Sequence, residues 1–245
     1  MLAAAQFGCA ISQTVPVLAY HRVSADDVPP SPESIQVSRF EEELKMIKQS
    51  GYNTITASEL AELMKAKRPM PPQTVVLTFD DGWKTSVVAQ KILEKYNMKG
   101  TFYIISGLIN TEGYVTKQEL LELSKKPNVE IGSHTHTHLL AWKQEELGDV
   151  DSKVFINEMK MSKSLIEEII KKPVTAFAWP YGFVNNDAQK AAPSLGYTSL
   201  GEINSITTNN ADISPFHMER LNIDGSCTTA QVKRMIETGV LDKCK

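Results

Sequence analysis

The chain has 245 residues, 42% hydrophobic and 22% charged, and its 26 basic and 29 acidic side chains leave a formal charge of −3. This is the composition of an ordinary globular protein, long enough for one large domain or two small ones, and it excludes a low-complexity chain. The charges are mixed along the sequence, so no basic patch points to nucleic acid and no polybasic or lipidation signal to a membrane surface; no run approaches the roughly 18–20 apolar residues of a membrane helix.

In chain order, the start "MLAAAQFGCAI" is apolar but has no charged leading region. A signal remnant, a lipoprotein-like site at Cys9 and residues added in cloning are its three readings, and residues 1–13 are set apart as a tail to a domain over 14–245. "VPVLAY" (15–20) reads as a strand, followed by a loop with three prolines, "SADDVPPSPES". Ser38 and Glu41 make an S-x-x-E capping box for a helix over 38–50, which Gly51 stops. A short strand (52–56) and a helix (58–67) follow. "TVVLTF" (74–79) is apolar and β-branched throughout, as suits a strand buried on both faces of a parallel sheet. Next come a helix over 83–97 with Val87, Ile92 and Leu93 inward, a strand at 100–105, a helix over 116–126 and a strand at 129–134. A long helix from about Glu145 to Lys172 carries Phe155, Met159, Ser162 and Ile166 on one stripe. A strand (174–179), a helix (186–196), strands at 197–203 and 217–223, and a closing helix (228–239) complete the pattern. The three cysteines, Cys9, Cys227 and Cys244, lack CxxC spacing, which argues against a thiolate zinc site; a Cys227–Cys244 disulfide is one open pairing.

Such alternation predicts an α/β fold of about seven or eight βα units, its parallel sheet open or closed into a barrel. Barrels place their active sites at the C-terminal ends of the strands. Those ends are distinctive here. Asp80-Asp81-Gly82 follows strand 74–79, "HTHTH" (134–138) follows strand 129–133, Pro180-Tyr181-Gly182 follows strand 174–179, and His21 follows the first strand. Four of the five histidines thus fall at two strand ends; His217 starts a strand and reads as structural or surface. One aspartate and two histidines match the three protein ligands of a catalytic zinc site that keeps one position open. His134 and His138 share a face if the chain turns helical, His134 and His136 if it stays extended, so spacing leaves the pair open. The second aspartate is then free to act as a general base. Taken singly, "DDG" also reads as an acidic turn before a helix, "HTHTH" as a solvated turn and His21 as a core histidine.

Taken together, "TFDDG", "SHTHTH" and "WPYG" resemble, in order, the motifs T-F-D-D-G, H-S/T-x-x-H and R-x-P-Y-G of the polysaccharide deacetylases of carbohydrate esterase family four, over roughly Val15 to Gly239. The resemblance implies a distorted (β/α)7 barrel that removes N-acetyl groups from a glycan with a divalent metal. It implies Asp80 as general base, Asp81, His134 and His138 as metal ligands, and the Tyr181 backbone N–H in the oxyanion hole. Trp179 stands where many members carry an arginine that holds the catalytic aspartate, and no L-x-x-H follows at the C-terminus. "VLAYHRV" resembles instead the circularly permuted branch, in which the strand with the acid histidine, here His21, comes first. That branch includes deacetylases of poly-β-1,6-N-acetylglucosamine and also carries W-P-Y-G. Arg220, in "MERLNI", becomes the candidate for the tethering role.

The resemblance further implies zinc as the first choice of metal, with cobalt, nickel or iron as alternatives. It implies an N-acetylated glycan as partner, an extracytoplasmic location, and a monomer without a membrane span. Trp179, Pro180, Tyr181, Trp83 and Trp142 are candidates for contact with sugar rings. Deacetylation of peptidoglycan or chitin oligomers and a non-catalytic glycan-binding domain are the alternative functions.

Overall fold

Strands and helices alternate in the computed structural model, which describes residues 14–139 and 150–244. In chain order they are β1 (Val17–Tyr20), β2 (Arg22–Ser24), β3 (Ser34–Gln36), α1 (Val37–Gln49), β4 (Asn53–Ile55), α2 (Ala57–Lys65), β5 (Thr74–Phe79), α3 (Ser86–Tyr96), β6 (Gly100–Ile104), α4 (Lys117–Ser124), β7 (Val129–Ser133), α5 (Ser152–Ile170), β8 (Ala176–Ala178), α6 (Asn186–Ala191), β9 (Ser199–Ile203), β10 (Met218–Asn222) and α7 (Thr229–Thr238).

Seven strands close a parallel barrel in the order β1-β10-β9-β8-β7-β6-β5, with β5 returning to β1. The barrel is distorted at β5. Its first half pairs with β4 (Asn53–Ile55 against Thr74–Val76), while Thr78 and Phe79 pair with Thr101 and Phe102 of β6. One edge of β5 therefore serves two partners, and β4 remains outside the closed ring. β2 and β3 form a separate two-stranded sheet that brackets the proline-rich segment read from sequence as a loop.

All six residues of β5 are buried because the two faces of the strand meet different cores. Val76 joins Val17, Tyr103, Ala176, Ala178 and Met218 in the lumen, where Leu60 and Met64 of α2 also pack. Val75, Leu77 and Phe79 pack outward with Phe40 and Leu44 of α1 and Leu93 of α3. The stripe Phe155, Met159, Ser162 and Ile166 of α5 is buried as its spacing predicts.

Several boundaries differ from the sequence reading. The Ser38–Glu41 capping box does not form. The Ser38 N–H donates to Asp26 Oδ1 at 2.9 Å, and Glu41 instead receives Lys95 and the Tyr96 hydroxyl. A cap supplied from twelve residues upstream leaves no local signature. α5 starts at Ser152, where Asp151 Oδ1 accepts the Lys153 N–H at 2.8 Å. Residues 145–149 of the expected helix, Trp142, and the tail with Cys9 lie outside the described residues. Cys227 and Cys244 form a disulfide that ties the chain after α7 to the loop after β10.

One buried carboxyl of the outer core bears on stability. Glu43 of α1 is fully buried and accepts the Tyr20 hydroxyl at 2.8 Å. Burial pushes its pKa from 4.5 up to about 8, against the lowering effect of the Tyr20 hydrogen bond. The unfolded chain therefore releases this proton first. Stability from this group is complete below about pH 4.5 and is lost as the pH rises through about 8, a fall of about 3–5 kcal/mol. Glu43→Gln should flatten that fall in urea titrations at pH 5 and pH 8.5; an equal loss in wild type and variant would contradict the assignment.

Candidate active site

The Asp80 N–H donates to the Tyr20 carbonyl at 2.8 Å, extending the β5–β1 ladder one step past the strand. Asp80 thus keeps the inward parity of Val76 and Thr78. The chain then turns through two left-handed residues, Asp81 at φ 74° and Gly82 at φ 76°. Aspartate tolerates that region better than most residues, and glycine does so without cost. The turn separates the neighbouring carboxylates and gives them different partners.

Asp81 Oδ1 lies 3.5 Å from His134 Nε2 and 3.7 Å from His138 Nε2. Donor atoms bound tetrahedrally at about 2.0–2.2 Å from one centre lie roughly 3.3–3.6 Å apart, so this arrangement fits a single zinc-sized ion. One ligand atom from each residue falls within 4.8 Å of the others, and among the described residues this is the cluster of that kind. The donor chemistry fits as well. His134 Nδ1 lies 2.8 Å from the Ala178 carbonyl; a carbonyl only accepts, so Nδ1 carries the proton and donates it, and Nε2 keeps the free lone pair. Burial, with the adjacent His134 ring, pushes the His138 pKa down, so its imidazole is neutral and able to ligate.

The turn carrying these histidines is strained. Thr135, His138 and Leu139 have φ of 64°, 57° and 53°, each costing about 1–3 kcal/mol in a non-glycine residue. His138 N–H donates to Thr135 Oγ1 at 2.9 Å, and His136 Nδ1 pairs with Ser106 Oγ at 2.8 Å, away from the cluster. Glu158 of α5 accepts the N–H groups of His136 and Thr137.

Asp80 has a different environment. Arg220 Nη1 and Nη2 donate to Asp80 Oδ1 and Oδ2 at 2.7 and 3.0 Å, a bidentate pair with both side chains buried. Nη1 also reaches Thr78 Oγ1 at 3.2 Å, and the guanidinium carbon lies 5.2 Å from the centre of the Tyr103 ring. The neighbouring strand β9 makes room with Gly201, where a Cβ would stand 2.8 Å from Arg220 Nε. Burial alone would raise the Asp80 pKa, but the Arg220 charge, with a contribution from His134, holds it well below the ordinary carboxylate range.

Asp80, Asp81, His134, His138, His21, Trp179 and Tyr181 line one pocket of about 240 Å³. His21 is half-buried at its wall, and its Nδ1 has no partner among the described residues. Pro180 starts a tight turn in which Tyr181 is left-handed (φ 57°); Tyr181 is 41% exposed, and its ring lies 4.6 Å from the His138 ring. Trp179 lines the pocket but is buried, edge-on to Phe155 and Phe177. Trp83 is placed otherwise. Its Nε1 donates to Asp81 Oδ2 at 2.8 Å, Tyr114 stacks 4.2 Å from its ring, and the Arg22 guanidinium lies 3.5 Å above the ring centre. Two groups that close to one ring must occupy opposite faces, so neither face is open to a sugar. His217 is a surface residue near Gln189 and Glu202.

Pro32, Glu33, Ile203 and Asn222 also line the pocket and were not singled out from sequence. Asn222 had a signal, since it stands two residues after Arg220 on the same strand; Glu33 and Glu158 had none.

A model of the family described as polysaccharide deacetylase matches residues 67–200. YxkH of Bacillus subtilis is 29% identical over 186 residues, covering 75% of this chain and 62% of its own length. The poly-β-1,6-N-acetyl-D-glucosamine N-deacetylase of Staphylococcus aureus is 28% identical over 213 residues, covering 82% of this chain and 71% of that protein. The crystal structure of a polysaccharide deacetylase from Bacillus cereus superposes with a TM-score of 0.75 at 25% identity, over 91% of this chain and 69% of that one.

Proposed function

The chain belongs to the polysaccharide deacetylase family, and on that premise we propose that it hydrolyses the N-acetyl amide of an N-acetylglucosamine-containing polysaccharide, with a divalent metal held by Asp81, His134 and His138. The observation that carries this reading is the divergence of two adjacent carboxylates: Asp81 faces two imidazoles, and Asp80 is clamped by Arg220. When bound, the ion supplies Lewis acidity, polarising the acetyl carbonyl and acidifying a water to a pKa of about 7 in the case of zinc. Asp80, held in place by Arg220, would accept the proton of the attacking water. The Tyr181 N–H donates to the developing oxyanion. His21, when protonated, gives its proton to the leaving amine, releasing acetate and leaving a glucosamine unit. Pro180, Tyr181 and the edge of Trp179 form the wall that receives the sugar.

Poly-β-1,6-N-acetylglucosamine is the preferred substrate on the strength of the Staphylococcus aureus relative; peptidoglycan and chitin oligomers are the alternatives. The arrival of His21 just after β1 supports a circularly permuted strand order. The Cys227–Cys244 disulfide supports an extracytoplasmic location, since such bonds persist in oxidising compartments. Among the described residues no helix is long and apolar enough to cross a membrane.

The test is acetate release by zinc-loaded protein from poly-β-1,6-N-acetylglucosamine, chitin oligomers, peptidoglycan and a small N-acetyl amide. The expected result is the highest kcat/KM on the β-1,6-linked polymer. A higher value on chitin or peptidoglycan reassigns the substrate, and turnover of the small amide alone contradicts a polysaccharide deacetylase.

A further inference from the structure

We propose that Glu158 is the positioning residue of the metal site, a role that rests on reading Asp81, His134 and His138 as its ligands. Glu158 lies on α5, outside the recognised sequence motifs, and is 8% exposed. Both oxygens are used. Oε2 accepts the N–H of His136 at 2.9 Å and of Thr137 at 2.7 Å, while Oε1 accepts the Thr137 hydroxyl at 3.1 Å. The same hydroxyl then accepts the Leu139 N–H at 3.2 Å. Successive backbone N–H groups converging on one point form a nest, a concavity that favours an anion. Here the protein fills the nest with its own carboxylate.

The consequence falls on His138. The nest residues directly precede it, and its own backbone and that of Leu139 are left-handed. Nothing within the turn except the Thr135 hydroxyl ties the His138 N–H. Glu158 therefore fixes the backbone from which His138 projects, and so the spacing between His138 Nε2 and Asp81 Oδ1, 3.7 Å in this structure. On the other side of the turn, the Gly107 N–H donates to the His136 carbonyl at 2.7 Å, and a Cβ at Gly107 would stand 2.5 Å from that oxygen. The turn is thus held from both sides, by α5 and by the segment after β6.

The experiment is zinc affinity, read by competition with a chelator on stripped protein, for wild type, Glu158→Ala and Glu158→Gln, with the urea stability of each metal-free form measured alongside. Glu158→Ala should weaken zinc binding by about 10–100-fold, as loss of an outer partner of a ligand typically does. Saturating zinc should restore most of its kcat. Glu158→Gln should bind nearly as wild type, because its amide oxygen can accept the same two N–H groups while its NH2 donates to the Thr137 hydroxyl. If Glu158→Ala lowers metal-free stability but leaves zinc affinity unchanged, Glu158 is only a packing residue and the proposal is overturned. If Glu158→Gln binds as poorly as Glu158→Ala, charge rather than positioning is at work, and the proposal is also overturned. Should Glu158→Ala not fold, Thr137→Val, which removes only the hydroxyl link, should still weaken zinc binding several-fold; unchanged affinity in that variant counts against the role. Failure of the wild type itself to bind zinc removes the ligand reading, and this role with it.

Discussion

Arg220→Met should destabilise the protein by about 3–5 kcal/mol and abolish turnover. The wild-type pair is buried on both sides, with Arg220 fully inaccessible and Asp80 3% exposed. Removing the guanidinium leaves a carboxylate in the barrel lumen without its counter-charge, and breaking a buried pair from one side carries a cost of that order. The Asp80 carboxyl should then move up from its depressed value, because burial raises it and the Arg220 charge is the main influence holding it down. The double variant Asp80→Asn/Arg220→Met should recover most of the lost stability, since neither unpaired charge remains, and should stay inactive. Urea denaturation of the two single variants and the double gives the coupling directly. A loss under about 1 kcal/mol for Arg220→Met, or additive losses in the cycle, would count against the clamp.

Asp80→Asn should lower kcat by about 10²–10⁴-fold, the range for loss of a positioned acid or base. The amide keeps the size and position of the carboxylate but cannot accept a proton from water. It also leaves Arg220 as an unpaired buried cation, so the variant will be less stable and its activity must be measured where it is folded. KM for the glycan should change little, because the residues proposed to receive the sugar, Pro180 and Tyr181, lie at a different strand end. Retention of kcat within a few-fold would remove Asp80 as base.

The barrel was legible because β5 announces itself: six buried residues in a row occur where a strand has a core on both faces. The strand ends were legible for a related reason. Histidines and adjacent carboxylates have no use in a core, so their position immediately after β-rich runs pointed to a site. The choice between His136 and His138 was not available from spacing, since it depends on left-handed residues at Thr135 and His138 that only the folded turn specifies. Arg220 carries no local mark; it is one arginine in a strand, and its partner lies 140 positions away in sequence. The same holds for Glu158 and for the Asp26 cap of α1, whose contacts span loops and helices. Trp83 was misplaced because an aromatic beside a site reads as a sugar platform, whereas here Arg22 and Tyr114 already cover it.

The central claim is that two adjacent aspartates divide ligation from base catalysis. Zinc affinity of Asp80→Asn and Asp81→Asn, measured side by side on chelator-stripped protein, tests it most directly. The account predicts that Asp80→Asn takes up about one zinc per chain with near-wild-type affinity yet releases acetate about 10²–10⁴-fold more slowly, while Asp81→Asn loses zinc affinity by at least about 10–100-fold. Wild-type zinc affinity in Asp81→Asn, or its loss in folded Asp80→Asn, would contradict it.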